Sequence, residues 1–327
     1  MRNLMRASWF LAAMGAAFLV AAPALAHDDW LVQDAQVGEI PRLFREPGWP
    51  NVGIAVALLL IVISLIIIDR RRKRGAPLMI VTELSMWMPT VVGAAAAYAM
   101  IDAALGRTLF SPDLFVPDGT VGTWAIGFEI GAAVLIATGL FARFGAIVML
   151  ALYVFAAAWN KGAALESLVI PGLASFLIVW GRGRLSLGSV FGRIFYAMDS
   201  EHARPFATTV LRVFVGATLV ALAVTKLVRP DLGLRVLDVF PDANPYRLVS
   251  AVLPFVTREW YLFLFAMLEG TLGLLIAAGA FIRPLALVAF LCFLASPLMF
   301  GSNELVFHLP LLAAFVALFV LGRDKTD

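Results

Sequence analysis

The sequence is poor in the residues that build disulfides and redox centres. Its 327 residues include one cysteine, Cys292, and three histidines, His27, His202 and His308. A single cysteine excludes an internal disulfide, a CxxC redox pair and a thiolate metal site. Only His308 lies in an apolar run, so a bis-histidine haem inside a membrane is also excluded. Electrons could therefore pass through this chain only by way of a diffusible quinone or the cofactor of a partner protein.

Charge is scarce as well. Charged residues make up 14% of the chain and hydrophobic residues 62%, with a mean hydropathy of +0.93, whereas soluble domains carry roughly 25% charge. This composition excludes a soluble globule and predicts an all-α integral membrane protein whose main partner is the lipid bilayer. The net charge of +3 comes from loop arginines. It bears on membrane orientation and does not indicate binding to nucleic acid.

The N-terminal segment has the pattern of an export signal. Two arginines precede an apolar stretch at residues 9–20, and Ala24-Leu25-Ala26 has the small residues of a cleavage site. We expect a cleavable signal peptide at residues 1–26, followed by a periplasmic N-terminal segment at 27–51. An uncleaved signal anchor is the alternative, because residues 7–26 are uncharged and just long enough to span a bilayer.

Nine apolar segments follow. The first, Val52–Ile68, stops at the basic cluster of residues 70–74, so we expect a transmembrane helix with a basic cytoplasmic stop over 52–74. Nine crossings from a periplasmic start put the C-terminus in the cytoplasm, where short inner loops also hold most of the basic residues. This distribution predicts a multi-pass protein of a bacterial-type inner membrane. The other predicted spans are 84–105, 123–141, 144–159, 165–180, 207–228, 260–281, 284–301 and 305–321.

The spans contain an internal repeat. Residues 129–146 align without gaps on residues 269–286, at a constant offset of 140, and eight of the 18 aligned positions are identical. We therefore predict two repeated four-helix transmembrane bundles, unit 1 at 84–184 and unit 2 at 207–323, joined by a cytoplasmic linker at 185–206. Both units begin and end in the cytoplasm, as in parallel repeats.

The motifs of the repeat resemble those of a known family. In unit 2 they are Arg212, Gly216, Lys226-Leu227, Glu269, Gly273-Leu274-Leu275, Gly279, Phe281 and Arg283. This pattern resembles the DoxX-like family of four-helix membrane proteins, over about two thirds of the chain as a tandem. Unit 1 keeps Glu129, Gly139 and Arg143 but has Ala103 in the place of Lys226. The resemblance implies a link to quinone-dependent sulfur oxidation, since a related protein is the large subunit of a thiosulfate:quinone oxidoreductase.

Ionisable residues within the spans are candidate functional groups, because each costs roughly 2.5–3.5 kcal/mol to insert. Lys226 follows Arg212 by 14 residues, Glu269 precedes Arg283 by 14, and His308 precedes Arg323 by 15. At about 1.5 Å per residue, all three lie roughly 21–23 Å from the cytoplasmic boundary. We expect a polar layer that faces the periplasm, with Glu269, His308 and Lys226 as the candidate catalytic groups.

Glu129 lies at the same depth by this arithmetic, with Asp102 near it, and Glu304 lies one turn before His308, closer to the external surface. Glu129, Asp102 and Glu304 are candidate substrate-binding residues, with Asn160, Lys161 and Glu166 near Glu129. A structural interpretation stays open: Lys226 and Glu269 pair to hold helices together, while His308 makes an interhelical hydrogen bond.

One metal ligand is conceivable at the mature N-terminus. If cleavage exposes His27, its α-amine and imidazole could chelate Cu(II), although an ordinary polar N-terminus is the simpler interpretation.

Three functions fit this sequence. The first is the membrane subunit of a redox system that handles quinol or a small oxidisable solute, at most a quinone-linked oxidoreductase subunit, with no covalently bound cofactor and a periplasmic or membrane redox partner. The second is a permease in which Glu129 and Glu269 face one shared cavity. The third is a membrane scaffold for periplasmic redox or metal proteins, with its polar residues held in helix contacts.

Overall fold

The computed structural model describes residues 42–45, 49–71, 83–181, 203–239, 245–300 and 303–322. The predicted signal peptide, His27, Arg323 and most of the linker lie outside the described residues, as does the side chain of Glu304. The helices in chain order are α1 (Arg42–Arg45), α2 (Trp49–Arg71), α3 (Met88–Leu105), α4 (Thr120–Thr138), α5 (Ala142–Asn160), α6 (Val169–Trp180), α7 (Arg204–Val228), α8 (Pro230–Val239), α9 (Pro245–Val252), α10 (Arg258–Ala278), α11 (Ile282–Phe300) and α12 (Asn303–Leu321).

The described helices indicate a multi-pass membrane protein. Six segments are long and apolar enough to cross a bilayer, and they contain α2, α3, α4, α5, α7 and α10. Three shorter apolar segments lie at Val169–Trp180, Ile282–Ala295 and Leu305–Leu321. Each of the nine predicted spans therefore corresponds to a helix, and six of those helices meet the length expected for a full crossing.

The prediction at 165–180 was too long. The α-helix there has 12 residues, about 18 Å, and a 3-10 helix at Lys161–Ser167 precedes it. Pro171 lies in the first turn of α6, where its missing N–H costs nothing. The segment between the predicted spans 207–228 and 260–281 contains the short amphipathic helices α8 and α9.

An antiparallel β-hairpin joins α3 to α4, and the all-helical prediction missed it. Its strands are β1 (Thr108–Leu109) and β2 (Ser111–Phe115). Phe110 makes the turn between them with a φ of 62°, in the left-handed region. Leu109, Phe110 and Leu114 are all buried, so the hairpin inserts apolar side chains into the end of unit 1.

Unit 1 is a closed bundle. Helix α3 packs on α4 and α6, and α5 packs on both α4 and α6. Its interior contains Val92, Met149 and Phe176, which are fully buried. Helices α4 and α5 approach closely because position 145 is glycine, where a Cβ would lie 2.9 Å from the Ala132 carbonyl oxygen.

Unit 2 is formed by two helix pairs and packs on unit 1. Helix α7 packs on α10, and α11 packs on α12. Across the two units, α7 contacts α6 and α12 contacts α3. Among the described elements, helix α2 packs mainly on α10, with Val62 beside Leu275 and beside Ala280, which follows α10. The two units therefore share an interface in which α3, α6, α7 and α12 take part.

The helix ends repeat between the two units. Helices α4 and α10 end at glycines in the left-handed conformation, Gly139 with φ 65° and Gly279 with φ 79°. Arg143 donates from Nη2 to the Val179 carbonyl oxygen at 3.2 Å and packs on Gly181, while Arg283 packs on Gly322. An arginine that follows α4 or α10 thus contacts the end of the last helix of the same unit, where the partial negative charge of a helix C-terminus favours a cation.

Candidate functional site

The centre of the candidate site is an ion pair between α7 and α10. Lys226 Nζ donates to Glu269 Oε2 at 3.0 Å. The two helices run antiparallel and touch at Gly216 and Gly273, where a Cβ on Gly273 would lie 2.6 Å from the Gly216 carbonyl oxygen. Because both positions are glycine, the backbones approach closely enough for the two side chains to meet.

The helix that carries Glu269 is shorter than the depth arithmetic assumed. Helix α10 ends at Ala278, nine residues after Glu269, and Arg283 belongs to the next helix. The Glu269 backbone therefore lies about 14 Å from the end of its own helix, against the 21 Å expected from Arg283. Side chains tilt towards the N-terminus of their helix. On these antiparallel helices the side chains of Lys226 and Glu269 therefore lean towards each other, and their charged ends meet although their backbones lie at different heights along the helix axes.

The pair is not sealed from its surroundings. The side chains of Lys226 and Glu269 are 15% and 8% exposed. Lys226 Nζ lies 5.7 Å from the ring centre of Phe265, one turn before Glu269 on α10, within the range of a cation–π contact. Phe265 is itself 45% exposed. An aromatic ring on the outer surface of the bundle therefore lies next to the buried charges.

Glu129, the counterpart of Glu269 in unit 1, has a different environment. It is 0% exposed, and Oε1 accepts a hydrogen bond of 2.8 Å from the Phe110 backbone N–H. Among the described residues, Oε2 has no hydrogen-bond partner. Ala103, in the place of Lys226, is buried. The inserted hairpin thus supplies a backbone donor where unit 2 uses a lysine.

Side chains from other elements hold the hairpin over Glu129. The Asn160 side chain accepts from the Phe115 N–H at 3.1 Å and donates to the Phe115 carbonyl oxygen at 3.0 Å. Ser167 Oγ donates to Ser111 Oγ at 3.3 Å. Asp102, a predicted substrate-binding residue, is half-buried on α3 and makes no side-chain hydrogen bond or ion pair within the described ranges.

His308 lies in the other helix pair of unit 2. It is buried on α12, and its ring meets the Phe293 ring of α11 edge-to-face with centres 5.0 Å apart. The structure thus joins Lys226 to Glu269 and packs His308 on an aromatic neighbour. His27 and the side chain of Glu304 are outside the described residues. In the part of the chain that is described, no group of three His, Cys, Asp or Glu residues could hold a metal ion.

Sequence reasoning missed a hydrogen bond between the two units. Thr225 Oγ1 donates to Glu166 Oε1 at 2.5 Å, and both residues are buried. Glu166 comes from the 3-10 helix of unit 1, and Thr225 immediately precedes Lys226. The sequence placed Glu166 near Glu129 in unit 1. Only the position of Thr225 beside an intramembrane lysine could have drawn attention to it, because periodicity within one helix carries no information about pairing across units.

No protein-family model, no curated protein and no solved structure matches this chain.

Proposed function

We propose that this protein is a DoxX-like inner-membrane subunit of a redox system, and that it handles quinol or quinone at the Lys226–Glu269 pair. The observation that carries the proposal is the position of this ion pair within apolar helices, with Glu269 buried, Lys226 15% exposed and the outward-facing ring of Phe265 beside Lys226. Ionisable residues within membrane spans are rare and mark functional sites by default.

The surroundings of the pair favour a substrate that arrives through the lipid. At the depth of these residues, exposed surface such as that of Phe265 faces hydrocarbon, since both helices are apolar spans. A quinone head group fits this environment because its ring can pack on Phe265 while its two oxygens reach polar groups. One oxygen accepts from the Lys226 ammonium, and the hydroxyl of the reduced form donates to Glu269.

The proposed reaction balances with a partner protein as the electron carrier. Reduction of a quinone takes up two electrons and two protons. The electrons come from a small oxidisable solute through the redox centre of a partner, because this chain has no thiol pair and no pair of intramembrane histidines. Glu269 delivers one proton to the nearer quinone oxygen. Lys226 first stabilises the negative charge on the other oxygen and then delivers the second proton, and both groups regain a proton from the outer aqueous phase.

Photolabelling with an azidoquinone tests the proposal. We expect cross-links within α10, near Phe265 and Glu269, which an excess of unmodified quinone suppresses. Labelling should drop in the Phe265→Ala variant and stay unchanged in Phe128→Ala, which removes an exposed ring one residue before Glu129 on α4. Cross-links confined to α4, or insensitive to competitor, would contradict it.

A membrane scaffold is the second candidate, and Glu129 is the observation that favours it. Its carboxylate is wholly buried and bonded to a backbone N–H, and Glu166 links the two units through Thr225. Glu129 thus ties the hairpin to α4, and Glu166 ties unit 1 to α7, which are the kinds of structural contact that favour a scaffold. Co-purification of a redox partner that survives the Lys226→Met, Glu269→Gln double variant, without any quinone binding, would favour this function. The burial of Glu129 gives no support to a permease cavity shared with Glu269.

A further inference from the structure

We infer that Glu166 and Thr225 are positioning residues for Lys226, so that the quinone site of unit 2 depends on a carboxylate from unit 1. This inference rests on the proposed function and adds to it the residues that place the lysine. It starts from one contact, the 2.5 Å hydrogen bond from Thr225 Oγ1 to Glu166 Oε1.

The bond is of a strong type. A hydroxyl that donates to a carboxylate at this distance makes a charge-assisted hydrogen bond. Thr225 and Glu166 are only 4% and 7% exposed, so water competes little and the low local dielectric strengthens the interaction.

The location of the bond on α7 determines what it controls. Thr225 and Lys226 lie in the last turn of α7, which ends at Val228. The Arg229 N–H donates to the Thr225 carbonyl oxygen at 2.7 Å, but the final turn of a helix has fewer backbone hydrogen bonds than its interior and frays more readily. Fixing the Thr225 side chain on unit 1 sets the rotation of this turn, and that rotation determines whether Lys226 points at Glu269.

Unit 1 provides a fixed base for Glu166. The 3-10 helix that carries it is held by Tyr153, whose hydroxyl donates to the Ala164 carbonyl oxygen at 2.6 Å. Ser167, the next residue, donates to Ser111 of the hairpin. The sequence of contacts therefore runs from the hairpin and α5, through Glu166 and Thr225, to Lys226 and Glu269.

Two variants at position 225 separate the size of the side chain from its hydrogen bond and so test the inference. Thr225→Val keeps the shape and removes the donor, whereas Thr225→Ser keeps the donor. We expect Thr225→Val to weaken the binding of a short-chain benzoquinone about three- to tenfold, which corresponds to the loss of one hydrogen bond, and Thr225→Ser to bind within about twofold of the wild type. Equal binding by Thr225→Val and the wild type would overturn the inference.

A double-variant comparison separates positioning from general damage. If Thr225 acts through Lys226, adding Thr225→Val to Lys226→Met leaves the benzoquinone affinity unchanged within about twofold. A further loss in that background would show that Thr225 acts by another route and would overturn the inference.

Position 166 provides an independent check should Thr225→Val fail to fold. Glu166→Gln keeps an oxygen that accepts from Thr225, and we expect it to bind better than Glu166→Leu, which has none. Equal binding by the two variants would contradict the inference. A wild-type protein that binds no benzoquinone would overturn the proposed function, whereas normal wild-type binding with no effect at positions 225 and 166 would overturn only the positioning role.

Discussion

Glu129 and Glu269 occupy matched positions with different partners. Each lies nine residues before the last residue of its helix, Thr138 in α4 and Ala278 in α10. Glu129 accepts from the Phe110 backbone N–H at 2.8 Å, whereas Glu269 accepts from the Lys226 ammonium at 3.0 Å. One repeat position thus holds a carboxylate bonded to a backbone N–H in unit 1 and one member of an ion pair beside an exposed aromatic ring in unit 2. This asymmetry assigns the proposed chemistry to unit 2.

The Lys226–Glu269 pair should be strongly coupled in stability. Removing one partner leaves a charge in an apolar setting, so we expect Lys226→Met and Glu269→Gln each to lower the free energy of unfolding by about 2–4 kcal/mol. The double variant should lose less than the sum of the two. Denaturant unfolding in detergent micelles measures these values. If the two single losses of unfolding free energy simply add in the double variant, the two side chains do not stabilise each other.

Replacing Gly279 by a residue with a side chain should destabilise the protein. The φ of Gly279 is 79°, so Gly279→Ala places a side chain on a strained backbone, and the added Cβ, 2.5 Å from Nη1 at the end of the Arg212 side chain, makes that side chain shift. We expect a loss of about 1–3 kcal/mol in the free energy of unfolding. Gly131→Ala is the matched control, because it lies within α4 with no atom within 4 Å of the added Cβ. The control should be neutral or slightly stabilising. Equal losses at both sites would refute the assigned role of Gly279.

The hairpin over Glu129 should open when Asn160 is replaced. Asn160→Leu removes two hydrogen bonds to Phe115, about 1–2 kcal/mol in total. Hydrogen–deuterium exchange of residues 108–115, followed by mass spectrometry, should accelerate roughly tenfold. Ser167→Ala removes one neutral bond and should have a smaller effect. An unchanged exchange rate in Asn160→Leu would show that apolar burial of Leu109 and Leu114 alone holds the hairpin.

The predicted orientation can be tested by cysteine labelling. In a Cys292→Ala background, we expect a membrane-impermeant maleimide to modify Asp118→Cys from outside intact cells, since position 118 is exposed beyond the hairpin. Arg184→Cys should react only after the membrane is permeabilised. The reverse pattern would invert the topology and place the candidate site on the other side of the membrane.

Helices were largely predictable from the sequence, and contacts between them were not. Apolar runs located α2, α3, α4, α5, α7 and α10, since length and hydropathy determine what can cross a bilayer. The predicted spans 123–141 and 260–281 ran past the ends of α4 and α10, which stop before Gly139 and Gly279. The hairpin was missed because β1 and β2 have only two and five residues and include Pro112, too few for an alternating pattern.

The sequence identified the charged residues of the candidate site but not all of their contacts. Lys226 and Glu269 were identified as charges within spans, and the structure brings them together. The contact of His308 with Phe293 and the bond between Glu166 and Thr225 depend on how helices from distant parts of the chain are arranged. Periodicity within a single helix does not report that arrangement.

Native mass spectrometry of the gently solubilised protein tests the central claim most directly. We predict an adduct with the mass of a quinone on the wild type and on Glu129→Gln, and its loss from Glu269→Gln, which makes the same chemical change at the matched position of unit 2. Retention of the adduct by Glu269→Gln, or a wild-type spectrum that shows no quinone even after quinone is added, would contradict the assignment of a quinone site to the Lys226–Glu269 pair.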